Sequence, residues 1–96
     1  MSRKARAEFN AMRARTLKPL EEKIKLLEDG IVACEARAAD LNDQLMRDSA
    51  KGGLGAIRRS AISRELKEHM EKAESLYAEL DSTMKIYNIE KLKYSG

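Results

Sequence analysis

The sequence predicts an all-α fold: an antiparallel two-helix coiled-coil hairpin with a short N-terminal helix. Three observations predict it. Leu17, Leu20, Ile24, Leu27, Ile31, Cys34, Ala38, Leu41 and Leu45 follow one another at alternating intervals of three and four. One glycine-rich stretch, RDSAKGGLGA over residues 47–56, then interrupts the pattern. Beyond it a second apolar stripe resumes at Ile62 and runs to Tyr87.

The alternation of three and four is a heptad pattern, which keeps one narrow stripe facing a partner helix. Its 3.5-residue period implies a left-handed supercoil. Between the stripe residues lie Glu21, Glu22, Lys23, Lys25, Glu28, Arg37 and Asp40, a solvated face. Glu21 and Lys25 stand in the favourable i, i+4 order. Before the stripe, residues 3–15 carry their own apolar pair, Phe9 and Met12. Pro19 suits the first turn of a helix, where its missing N–H would have no partner, and Thr16 is the better chemical cap. The expectation is therefore a short helix or lead-in over 1–16, a break near 16–18, and a first long helix over 17–47.

Glycine is costly inside helices and common in turns, so residues 48–55 are expected to form the loop. The second long helix is expected over 56–90, followed by a tail over 91–96. Its stripe is wide: Ile62, Leu66, His69 or Met70, Ala73, Leu76 or Tyr77, Leu80, Thr83 or Met84, and Tyr87. A short loop makes the two helices antiparallel neighbours. Pairing outward from it sets Leu45 with Ile62, Leu41 with Leu66, Cys34 with Ala73, Leu27 with Leu80 and Leu20 with Tyr87, residue numbers that sum to 107 in every case. Ile86, Ile89, Leu92 and Tyr94 extend the apolar surface toward Phe9 and Met12.

Composition agrees. The 96 residues are 36% charged and hold four aromatic side chains and no Trp, which suits a thin rod rather than a layered core. Cys34 is the sole cysteine, so no internal disulfide can form. No apolar run approaches the roughly 20 residues of a membrane span. A soluble, cytoplasmic monomer without membrane contact is expected.

Charge comes in blocks. Residues 1–18 hold Arg3, Lys4, Arg6, Arg13, Arg15 and Lys18 against Glu8 alone. Residues 47–67 hold Arg47, Lys51, Arg58, Arg59, Arg64 and Lys67 against Asp48 and Glu65. Residues 19–46 and 68–90 are each acidic by four charges. Folded as a hairpin, the tip and base are basic and the shaft is acidic. Arg3, Lys4, Arg6, Arg13, Arg15, Arg47, Lys51, Arg58, Arg59, Arg64 and Lys67 are the candidate nucleic-acid contacts, because clustered Lys and Arg give sequence-independent affinity for phosphate backbones. The absence of an aromatic residue at the tip argues against stacking on single-stranded bases and favours a duplex or structured RNA. The plain alternative is a solvated, charged loop.

Catalytic chemistry has no foothold. KGGLG is glycine-rich but is no Walker sequence, and no strand precedes it. His69 is the lone histidine and no Cys/His cluster could hold zinc. Cys34 reads as a small buried hydrophobe. No cofactor is expected.

Phe9-x3-Arg13, the run L-x-P-L-E-x2-I-x2-L-E-x2-I from Leu17 to Ile31, LNDQL at 41–45, the glycine loop, and ISRELKE with AESLYAEL over 62–80 together resemble the C-terminal coiled-coil domain of ABC-F ATPases, particularly the Uup-like group. The resemblance covers nearly the whole chain. It implies a helical hairpin attached to two ATP-binding cassettes and associated with DNA, or with ribosomal RNA and translation. Any ATPase activity would then belong to a part of the parent outside these 96 residues. The expected function is non-catalytic nucleic-acid binding. The alternatives are a protein-interaction or spacer arm that positions the cassettes, and a tRNA-contacting arm of the synthetase type.

Overall fold

The computed structural model describes residues 1–51 and 55–95, with side chains undescribed at 49–51. Two helices make up the fold: α1, Arg3–Lys51, and α2, Ala56–Lys93. They pack side by side into a rod of 73 × 18 × 16 Å. Its surface, 7413 Å², exceeds the about 5,500 Å² of a globular chain of this mass. The core is thus one seam, and each of its layers carries a large share of the stability.

Three sets of contacts fix the register. On one side of the seam, Lys23 meets Glu79 and Arg37 meets Glu65, so partner numbers add to 102. On the other side, Tyr77 meets Glu35, adding to 112. In the seam itself Asp48 meets Arg59, adding to 107. These values describe an antiparallel coiled coil in which e faces e and g faces g across the a/d layers. The predicted layers are therefore correct.

The register also resolves the ambiguous stripe of α2. Ile62, Leu66, His69, Ala73, Leu76, Leu80, Thr83 and Tyr87 are buried or half-buried. Met70, Tyr77 and Met84 remain 59, 49 and 45% exposed. Alternation of three and four from Ala73 and Leu80 selects His69, Leu76 and Thr83, even where the neighbour is the more apolar residue. Thr83 tolerates burial because its hydroxyl donates to the Glu79 carbonyl at 2.8 Å. Gly30 sits where a Cβ would lie 3.2 Å from Leu76 Cδ1, so its bare backbone lets α2 approach closely.

The helix boundaries differ from expectation. Residues 3–16 are helical but form no separate helix, because α1 runs unbroken through Pro19. Proline denies the Arg15 carbonyl a donor, yet Pro19 is exposed and tertiary contacts hold the preceding turns in line. Phe9 packs edge-on against Tyr94 at 5.6 Å between ring centroids, and Thr16 Oγ1 lies 3.0 Å from the Tyr94 hydroxyl. Met12, Ile86, Ile89 and Leu92 stay exposed. At the tip, α1 continues to Lys51 rather than ending at 47; at the base, α2 continues to Lys93 rather than ending at 90.

Asp48 explains the longer first helix. It occupies the seam step after Leu45, its side chain is 3% exposed, and Arg59 binds it through Nη1. A charge pair thus closes the seam at the tip. Asp48→Asn should lower unfolding stability by about 1–2 kcal/mol, less than a fully buried pair because Arg59 is partly solvated. Urea titration followed by circular dichroism measures this, and an unchanged midpoint contradicts it.

Candidate nucleic-acid interface

The candidate cations fall into two groups at opposite ends of the rod. Arg13 and Arg58 lie about 54 Å apart along the axis, at 1.5 Å per helical residue. The two groups therefore cannot close on one phosphate cluster.

At the tip, three of the six cations are already engaged. Arg59 is held by Asp48, Arg47 by Asp43 at 3.0 Å, and Lys67 lies 3.9 Å from Glu71. Arg59 is therefore a seam residue with an internal partner, its side chain still 43% exposed. Arg58 and Arg64 are exposed and form no ion pair with a described residue. The Lys51 side chain lies outside the described residues.

The base is different. Arg3, Lys4, Arg6, Arg13, Arg15 and Lys18 are all exposed, and none forms an ion pair with a described residue. The seam register runs on into this segment, placing Arg3, Arg6, Asn10 and Arg13 on the stripe that would face α2. Since α2 ends at Lys93, that stripe has little or no partner there. Lys4, Arg15 and Lys18, eleven and fourteen residues apart, share the opposite face. The base is a collar of cations around a single protruding helix. Across from it, Lys93 pairs with Glu90 at 2.9 Å and Lys91 stands 5.7 Å over the Tyr87 ring.

Each cluster also contains a helix N-terminus. The first turn of α1 holds Arg3, Lys4 and Arg6 and no acid; Ser2 caps it, its hydroxyl accepting from Ala5 N–H at 3.1 Å. The first turn of α2 holds Arg58 and Arg59 and no acid, with Gly55 at its cap. Cations at these positions oppose the helix dipole and cost stability. The same arrangement concentrates positive potential where backbone N–H groups already favour anions.

Along the shaft the two sides differ. The g side is laced by ion pairs: Lys23 to Glu79 at 3.5 Å, and Arg37 to Glu65 and Asp40 at 3.1 and 3.0 Å. The e side is bridged by tyrosines instead. Tyr77 donates to Glu35 at 3.1 Å and Tyr87 to Glu21 at 3.0 Å. These bonds to carboxylates push both phenols above their ordinary value of 10.0, with Arg13 pulling Tyr87 partly back. A raised acid pKa favours the protonated folded state, so this contribution is full below pH 10 and is lost as pH rises through the folded values. Thermal melts at pH 8 and 11 should show a smaller alkaline loss for Tyr77→Phe with Tyr87→Phe than for the wild type. Equal losses contradict the linkage.

Beside Tyr77 the e side opens into a groove of about 630 Å³. It forms because the Cys34–Ala73 layer and Ala38 of the next layer are small. His69 lies half-buried beside it, its Nε2 3.6 Å from Glu65. Its ring is thus part of the seam rather than a solvated flank.

Among the described residues no group of His, Cys, Asp and Glu could hold a metal ion, and no helix is long and apolar enough to cross a membrane. Comparison with protein families, curated proteins and solved structures found no match.

Proposed function

We propose that this chain is a non-catalytic nucleic-acid-binding domain of a cytoplasmic ABC-F type ATPase, gripping the phosphate backbone of duplex DNA or an rRNA helix. The observation that carries the reading is the collar at the base: six exposed cations, unopposed by any described ion pair, around a helix N-terminus. Such a cluster is unfavourable for the isolated fold and favourable beside a polyanion. The base is the primary contact, with Arg58 and Arg64 at the tip as a secondary one. The buried Cys34 thiol agrees with a reducing compartment.

Fluorescence anisotropy against a 20-base-pair DNA duplex (an arbitrary length of about two helical turns) and against an rRNA hairpin tests the reading. Affinity should fall steeply and log-linearly with salt, and vary little with sequence. Absence of binding at low salt, or binding indifferent to salt, refutes it.

A further inference from the structure

We propose that the e-side groove docks one basic amphipathic helix of a protein partner. The inference is independent of the nucleic-acid reading and concerns the opposite sign of charge. Ala38 and Ala73 set the depth of the groove, and Met70 and Tyr77 form its apolar wall. Met84 continues that wall one heptad further, and all three wall residues are about half exposed. Methionine side chains adapt to irregular apolar partners, as helix-binding grooves require.

Charge selects the occupant. The groove is lined by two carboxylates, Glu35 and Glu74, and by no Lys or Arg. Neither carboxylate has an ion pair with a described residue, whereas the opposite side of the shaft is laced by Lys23–Glu79 and Arg37–Glu65. Tyr77 holds Glu35 at the rim by its hydrogen bond. A polyanion is repelled here. So is a second copy, because a two-fold contact would bring both pairs of carboxylates together across an apolar interface. A helix with apolar residues at i, i+3 or i+4 and i+7, flanked by Lys or Arg, satisfies both the wall and the rim.

The probe is a fluorescein-labelled Leu/Lys amphipathic peptide of about 18 residues, roughly 27 Å as a helix, with a Leu/Glu peptide of the same apolar pattern as its counterpart. The intact 96-residue chain should bind the Leu/Lys peptide at one to one and leave the Leu/Glu peptide free. Met70→Ser with Met84→Ser should weaken binding about tenfold by removing the apolar wall, and Glu35→Gln with Glu74→Gln about tenfold by removing rim charge. Leu26→Ser with Val32→Ser, exposed apolar residues outside the groove, should change nothing. Replacing the base cations should also leave peptide affinity intact, which separates this result from failure of the nucleic-acid reading. Equal weakening by the Leu26/Val32 pair, capture of the Leu/Glu peptide, or no binding overturns the proposal. So does a dimer in sedimentation that Met70→Ser with Met84→Ser dissociates, since a second copy would then fill the groove.

Discussion

Replacing Arg3, Lys4, Arg6, Arg13 and Arg15 together by glutamine will weaken binding to a DNA duplex and to an rRNA helix by about two orders of magnitude or more at low salt. The salt slope will become shallower by up to about four to five, near 0.9 for each phosphate no longer neutralised. All five side chains are exposed and free of described ion pairs, so their replacement breaks no described ion pair. Their removal also relieves cations from the first turn of α1, and the melting temperature should hold steady or rise slightly. That combination separates a binding surface from a structural one. Arg59→Gln supplies the contrast: it should lower stability through Asp48 and change affinity less than Arg58→Gln with Arg64→Gln. Undiminished affinity of the fivefold variant would move the interface away from the base.

Leu41→Ala will cost about 3–5 kcal/mol and leave the chain largely unfolded at 37 °C. Leu41 is 1% exposed and, among the described residues, is the largest side chain enclosed so fully. Its partner is Leu66, and the adjoining layers, Ala38 with His69 and Leu45 with Ile62, are already committed to the seam, so they can fill the void only by leaving their own layers. Losses for buried leucines grow with the cavity left behind. A two-helix rod has little reserve to absorb one. Circular dichroism at 222 nm during heating reads the outcome; a midpoint within a few degrees of the wild type would show that the helices close over the gap. Leu26→Ala, on the exposed outer face, should cost only a few tenths of a kcal/mol.

The first helix was legible because one pure stripe, Leu17 to Leu45, carries its seam. The second was ambiguous wherever two neighbours competed. At 69/70 and 83/84 the more apolar neighbour is a methionine, Met70 or Met84, yet geometry buries His69 and Thr83. Residue type left both positions open there, and strict spacing from Ala73 and Leu80 decides them. Extending the same spacing one step beyond Leu45 reaches Asp48, and the register assigns it Arg59. That pair was therefore written in the sequence, but a charged residue is not sought in a seam. Continuity through Pro19 was not legible, since it depends on Tyr94 contacting Phe9 and Thr16 from 78 to 85 residues away. The basic blocks were legible as composition. Which of their members are neutralised depends on the pairings at Asp43, Asp48 and Glu71, and only the short-range ones could be read from i, i+4 spacing.

The 73 Å length of the rod has a mechanical meaning. Ion pairs on one side and tyrosine bridges on the other keep the two helices from sliding, so the shaft turns as a lever rather than bending at a loop. A tilt of about 5° at the base then sweeps the tip through about 6 Å, close to one helical pitch. If the base binds a polyanion as proposed, a small rotation there would become, at Arg58 and Arg64, a displacement large enough to make or break an ionic bond.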